Sequence, residues 1–342
     1  MNVRERQKAE INPMQYGTIV HYILERFFGE YTKEEYLSLE EDKFQKIVCA
    51  YLAEYAVKYF GEEQLESNSF TYRLKTILDN VMYLMKHIME ELSQSEFFVA
   101  DCELKIGEDI PSYTIVLPDG HKIAVCGSVD RVDIMQRADI TYLRIIDYKT
   151  GTKQFKLSDI LYGINLQMLL YLHSIEASGG DKYGEIVPAG ILYMPATVPY
   201  ISSDSLKSID KLPDELNKKL KMNGLLLKDT EIIHGMDKTD VATYIPVKIK
   251  AGEPVSSTSL ATLAEFGKIF KKVDMLIAEM GKNIYNGNIE AKPLKGGHDS
   301  CEYCPYDSVC AYRQSNPITC FSVDNKTVIE EITNEINGKE EE

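Results

Sequence analysis

Asp147 and Lys149 stand two residues apart in the apolar, β-branched run Arg144-Ile-Ile-Asp147-Tyr-Lys149. On a strand, residues at i and i+2 leave the same face, so one carboxylate would sit beside one ammonium. A second acidic group lies just upstream, in Cys126-Gly-Ser-Val-Asp130-Arg-Val-Asp133, on what reads as a neighbouring strand. Two carboxylates and a lysine suit a Mg²⁺ ion and the water it activates, because hard divalent cations take oxygen ligands. The chemistry expected of this set is phosphodiester hydrolysis. From spacing alone, Asp147 and Lys149 could equally be a surface ion pair on an edge strand, and either Asp130 or Asp133 could face the site.

The elements that must position these groups follow from periodicity. Residues 13–60 and 68–95 carry Tyr, Leu, Ile and Phe at three- and four-residue spacing and read as helices, with Pro13 at the head of the first. Short strand-like segments at 98–106, 112–117, 121–135 and 140–149 are separated by turn signals at Pro118-Asp-Gly120 and around 136–139, which predicts an antiparallel meander. Leu157 to Glu176 is helix-long, and Ile186 to Met194 reads as a strand. Beyond it come a lysine-rich helix, the Asn223-Gly224 turn, a strand-like Thr243 to Ile249 and a long amphipathic helix over 258–286. The class is α/β, a mixed central sheet flanked by helices. We divide it into a helical front end (1–95), a catalytic core (96–199), a mainly helical elaboration (200–295), a cysteine segment (296–322) and a disordered tail (323–342).

Hydrophobic residues make up 44% of the 342 positions, enough for a substantial core. No apolar run reaches the roughly 18–20 residues of a membrane span, and the start lacks the basic-then-apolar pattern of a signal peptide. A cytoplasmic protein with no membrane partner is expected. The formal charge of −15 argues against DNA binding through a general basic surface. A local path remains open along Lys207, Lys211, Lys218, Lys219 and Lys221, although such runs are usually solvated faces. No Gly-x-x-x-x-Gly-Lys-Ser/Thr motif occurs, so no ATP-driven motor is expected in this chain.

Further residues fall into register with the first set. Gly17-Thr-Ile-Val-His21 lies on the first helix, Glu103 on the first strand, Gly127-Ser-Val-Asp130 and Asp147-Tyr148-Lys149 on later strands, and Gln167-Met-Leu-Leu-Tyr171 on the following helix. In this order the motifs resemble those of the PD-(D/E)xK superfamily, and more narrowly the RecB-like nucleases. The resemblance implies a restriction-endonuclease-like core. It implies a Mg²⁺ or Mn²⁺ ion held by His21, Asp130, Asp147 and the Tyr148 carbonyl, and selects Asp130 over Asp133. Glu103 is then a metal-side carboxylate, Lys149 positions or activates the water, and Gln167 and Tyr171 contact the DNA backbone or steady Lys149.

Seven cysteines, an odd number, cannot all pair as disulfides. Three form Cys301-x2-Cys304-x5-Cys310, a spacing suited to one metal centre. The run is similar to the iron-sulfur staple of AddB-type components of bacterial helicase-nucleases and of CRISPR-associated RecB-like nucleases. The resemblance to the AddB type extends over nearly all the chain beyond residue 12. It implies a Mg²⁺-dependent DNA exonuclease of double-strand break processing, a heterodimer with an AddA-type helicase-nuclease subunit, and a 4Fe-4S cluster closed by a cysteine ahead of the first helix. Residues 1–20 contain no cysteine, so the cluster is expected to be incomplete here, with Cys320 as a substitute ligand and the chain an excised piece of a longer subunit. A self-contained CRISPR-associated nuclease, or a non-catalytic module that clamps DNA or a partner, are the alternatives.

Overall fold

The computed structural model describes residues 11–61, 65–151, 153–201, 212–256, 258–302, 304–310 and 317–340. Helix α1 (Pro13–Glu30) begins where the sequence supplies a reciprocal cap. Asn12 Oδ1 accepts from the Gln15 N–H at 2.8 Å, and Gln15 Oε1 accepts from the Asn12 N–H at 3.0 Å. Its stripe of Ile19, Val20, Ile23, Leu24 and Phe27 is fully buried. The helical reading of 13–60 resolves into three helices, because Thr32 restarts the chain with a second capping box through Glu35. These are α1, α2 (Lys33–Leu37) and α3 (Glu41–Phe60), followed by the long α4 (Asn68–Ser93).

The strands are β1 (Phe98–Ile106), β2 (Tyr113–Val116), β3 (Lys122–Val125), β4 (Gly127–Arg137) and β5 (Ile140–Lys149). They do not form the expected four-stranded meander. β1 pairs directly with β4, and β2 and β3 leave the sheet as a separate hairpin. The segment 121–135 divides at Cys126. Side-chain contacts explain the departure: the hairpin packs on the later helix α9 (Leu263–Tyr285), where Tyr113 Oη donates to Asp274 Oδ2 at 2.9 Å and Ile123 fits over Gly281.

After β5 the expected helix of 157–176 is interrupted. A 3-10 turn, Leu157–Tyr162, ends at Gly163 (φ +67°), and Asn165 also has a left-handed backbone (φ +54°), so α5 begins only at Gln167 and runs to Ser178. The short α6 (Gly180–Tyr183) leads into β6 (Glu185–Pro195), which lies parallel to β5. Residues Ala189 to Met194 are buried without alternation, as befits a central strand covered on both faces.

The segment 200–295 is not an elaboration apart from the core. After α7 (Leu212–Leu220), β7 (Asn223–Leu227) pairs with β6. Then come α8 (Thr230–Met236), the hairpin β8 (Lys248–Lys250) with β9 (Glu253–Val255), and β10 (Leu260–Ala261) beside β7. The full sheet order is β1-β4-β5-β6-β7-β10. Of the strand-like Thr243 to Ile249, only the last two residues enter β8.

The tail expected to be disordered is instead ordered. After β11 (Leu294–Gly296), α10 (Asp307–Cys310) and β12 (Ile318–Cys320), helix α11 (Asn325–Glu340) packs on α9 and the 3-10 turn. Val328, Ile332 and Ile336 are buried, and Lys272 Nζ meets Glu335 Oε2 at 2.5 Å. Three apolar residues at i, i+4 and i+8 suffice once a surface exists to receive them, which polar composition conceals. No helix among the described residues is long and apolar enough to cross a membrane.

Candidate active site

Strand register gathers the acids. β1 pairs with β4 through Cys102↔Arg131 and Leu104↔Val129, which sets Glu103 opposite Asp130. β4 pairs with β5 through Arg131↔Ile146, so one step further sets Asp130 opposite Asp147. Three carboxylates therefore occupy one row across three adjacent strands. Helix α1 lays His21 over the row, with Nδ1 3.1 Å from Glu103 Oε1 and Nε2 3.6 Å from Asp130 Oδ2. Ligand atoms of His21, Glu103 and Asp130 all lie within 4.8 Å of one another.

Local structure holds each member in place. The Tyr148 N–H donates to Asp130 Oδ2 at 2.9 Å, and Ser128 Oγ donates to Glu103 Oε2 at 2.9 Å. Ser128 precedes Asp130 by two residues and so shares its face, a signal that period-two reading could have used. Glu103 has φ +50°, a backbone state uncommon outside glycine. Such strain, of order 1–3 kcal/mol, persists where surrounding contacts impose it. Gly17 is not required for close approach: a Cβ there would meet only Thr150 Cγ2 at 3.5 Å, an ordinary contact.

Asp147 stands outside the tight trio. It is 5% exposed, and its Oδ2 forms an ion pair with Lys149 without a directed hydrogen bond. Glu103, the least distinctive acid in the sequence, stands inside the trio. Lys149 and Lys153 both lie near the Tyr193 ring, at 5.7 and 5.2 Å from its centroid. The cleft above the row, of about 720 Å³, is lined by Tyr22, Tyr59, Ser128, Lys149 and Lys153 along with His21 and Glu103.

The electrostatics are those of crowded acids short of a cation. Burial, and then the charges of Asp147 and Glu103, push the Asp130 carboxyl up to about 6, although His21 and the Tyr148 N–H oppose the shift. The hydrogen bond from His21 and that from Ser128 lower the Glu103 pKa against burial. Burial works against an imidazolium at His21, but Glu103, Asp130 and Asp147 outweigh it and raise its pKa. Burial, and then the charge of Lys149, lower that of Lys153. Two carboxylates and an imidazole within one small sphere fit a divalent ion of the Mg²⁺ or Mn²⁺ kind.

Asp133, the rival of Asp130, faces the other way. It is fully buried with Arg131, Arg144 and Glu91. Arg131 spans Asp133 and Glu91, and Arg144 does the same. Two guanidiniums and two carboxylates thus neutralise one another beneath the site, a pairing that nothing in the local spacing of Glu91 announces. The Tyr148 ring lies on this side, with Arg131 Nη1 3.5 Å from its hydroxyl.

Gln167 and Tyr171 are not brought to Lys149: among the described residues neither hydrogen-bonds it. Gln167 is exposed at the start of α5, while the Tyr171 ring lies over Gly127, where a Cβ would fall 2.1 Å from its hydroxyl oxygen. The lysine stretch gives no continuous basic face. Lys207 and Lys211 lie outside the described residues, and Lys219 and Lys221 donate to backbone carbonyls.

Cys301, Cys304 and Cys310 do not converge on one point as the trio does among the described residues. Cys301 and Cys304 share a turn, with the Cys304 N–H donating to the Cys301 carbonyl at 3.2 Å, whereas α10 ends on Cys310 in an exposed position. Cys320 is buried within β12, paired with Gly296. These residues do not fit a four-thiolate iron-sulfur cluster.

Comparison with known proteins gives the same family as the motif order. A protein of Thermoanaerobacter sp. (strain X514), named as the second, B-type component of an ATP-dependent helicase/deoxyribonuclease, is 33% identical over 324 residues, covering 91% of this chain and 28% of that protein. Proteins of the same name from Alkaliphilus oremlandii and Clostridium kluyveri are 32% and 33% identical, covering 97% and 100% of this chain and 30% and 31% of their own lengths. The chain thus spans under a third of the length of these relatives. The profile of the PD-(D/E)XK nuclease superfamily matches residues 1–311. Because that match runs through every strand and helix that builds the row of acids, the chain belongs to the PD-(D/E)XK nuclease superfamily.

Proposed function

We propose that this chain is a Mg²⁺- or Mn²⁺-dependent deoxyribonuclease that removes nucleotides from DNA ends. We further propose that it serves as the nuclease part of an AddB-type protein paired with an AddA-type helicase subunit in cytoplasmic DNA repair. The observation that carries the reading is the convergence of His21, Glu103 and Asp130 within 4.8 Å, beside the Asp147–Lys149 pair on β5. The names of the relatives support the assembly and the choice of DNA.

His21, Glu103 and Asp130 would hold the ion, with Asp147 at the edge of their shell. When bound there, a divalent ion supplies charge to the scissile phosphate and lowers the pKa of its water. The chain's own groups do the positioning. Tyr148 N–H and Ser128 Oγ fix the two acids, so little reorganisation is left for the transition state. Asp147 holds the Lys149 ammonium, which orients the attacking water and offsets charge on the phosphorane.

End-labelled linear DNA and covalently closed circular DNA, each with Mg²⁺, Mn²⁺ or EDTA, test the reading. Wild type should degrade the linear DNA with either ion and spare the circle. Lys149→Ala and Asp130→Asn should each lose on the order of 10³-fold in rate while melting as cooperatively as wild type. Undiminished cleavage by Lys149→Ala, or cleavage in EDTA, would refute it.

A further inference from the structure

We propose that the substrate strand does not end at the row of acids but continues over the first turn of α1 into a second cleft, where α4 binds its phosphates through Arg73. This inference rests on the nuclease reading above. The second cleft, of about 560 Å³, shares Pro13 and Thr150 with the cleft over the acids, so only the α1 N-terminus lies between them.

The two clefts differ in chemistry. Over the acids, Tyr22, Tyr59 (52% exposed) and Met14 (82% exposed) give apolar faces on which bases can stack. The second cleft has no acid among its described lining residues, although the chain holds 53 acidic and only 38 basic residues. Arg73, Thr76 and Asn80 follow at i, i+3 and i+7 and so form one face of α4. Arg73 and Thr76 are exposed, and Arg73 has no acidic partner among the described residues. A guanidinium fork with a hydroxyl and an amide beside it is a phosphate-binding set. Asn12 and Thr150 extend it towards Lys149. In a chain whose net charge repels DNA, an unneutralised cation adjoining the acids is where a backbone can be held.

The test is binding of end-labelled single-stranded oligodeoxythymidylate to the 342-residue chain, read by fluorescence anisotropy in EDTA across a salt series. Arg73→Gln should weaken binding about tenfold and flatten the slope of log K against log salt by about 0.7, the value for one single-strand phosphate contact. Arg73→Lys should restore the slope and part of the affinity. Hydrolysis of bis(4-nitrophenyl) phosphate, which is too small to reach α4, should be unchanged. Should Arg73→Gln fail to fold, Thr76→Lys reads the same face with opposite sign, tightening binding and steepening the slope. Unchanged affinity and slope in these variants would overturn the path whatever the cleavage result. An inactive wild type whose affinity still falls on Arg73→Gln would support the path and overturn the hydrolytic reading instead.

Discussion

Asp130 and Asp133, three residues apart, should fail in opposite ways when neutralised. Asp133 accepts from Arg131 Nε at 2.7 Å, from Arg131 Nη2 at 2.7 Å and from Arg144 Nε at 3.0 Å, and none of the three residues has any exposed surface. In Asp133→Asn, one acceptor oxygen remains where two served, an amide donor faces guanidinium donors, and Glu91 alone is left to balance two cations. Removing one member of a buried, hydrogen-bonded set of this kind costs roughly 3–5 kcal/mol, a large share of the 5–15 kcal/mol typical of a whole domain. With an unfolding entropy of about 2.1 cal/mol/K per residue, a chain of 342 residues loses about 1.4 °C per kcal/mol. Tm should therefore fall by about 4–7 °C, and the urea midpoint should fall with unchanged slope. At temperatures where the variant is folded, cleavage should persist. Asp130→Asn should melt near wild type and not cleave. Calorimetry together with a cleavage assay at 20 °C decides the matter: a neutral effect of Asp133→Asn on Tm, or active Asp130→Asn protein, would refute the division of labour between the two faces of β4.

His173 supplies a pH signature. Burial opposes its charge, but Asp274 and Glu176 outweigh that and raise its pKa from 6.5 to about 9, so its contribution is full below pH 6.5 and lost as pH rises through about 9. Discounted for the partly exposed Asp274, this is about 2 kcal/mol; His173→Gln should flatten the decline of Tm between pH 6.5 and 9, and an unchanged decline would count against it. Gly224→Ala would place a Cβ 2.0 Å from the Ile191 carbonyl oxygen, so β6 and β7 must part; we expect a loss of several kcal/mol in urea titration. Mn²⁺ should raise the Tm of wild type but not of a His21→Ala, Asp130→Asn double variant, because binding to the native state alone is stabilising.

The motif residues were legible because they depend on strand register and on a single helical turn, both local. Asp147, Lys149 and Asp130 were found from period two, and the apolar stripe of α1 from period 3.6. What sequence concealed was set by partners distant along the chain. Glu91 is 42 residues from Asp133, and no spacing rule links a helix carboxylate to two strand arginines. The separate hairpin of β2 and β3 depended on α9, more than a hundred residues later. Helix α11 was hidden for the same reason: its three buried residues have meaning only against α9. Asp147 and Glu103 exchanged places relative to the trio because the Lys149 ion pair draws Asp147 away, a contest between partners that period alone does not weigh.

The pairing of β11 with β12 gives the cysteine segment a character of its own. Leu294 to Gly296 lie in parallel register with Ile318 to Cys320, and α11 fastens the far side of this neck to α9. The segment between is a loop whose ends are already joined, so the entropy of bringing them together is supplied by backbone hydrogen bonds rather than by thiols. A metal bound inside such a loop could reshape its interior but could add little to the retention of α11. Thiol alkylation should then alter proteolysis within 297–317 while leaving the packing of Val328 and Ile332 untouched, which would make the cysteines a local clasp rather than the staple of the whole carboxyl-terminal region.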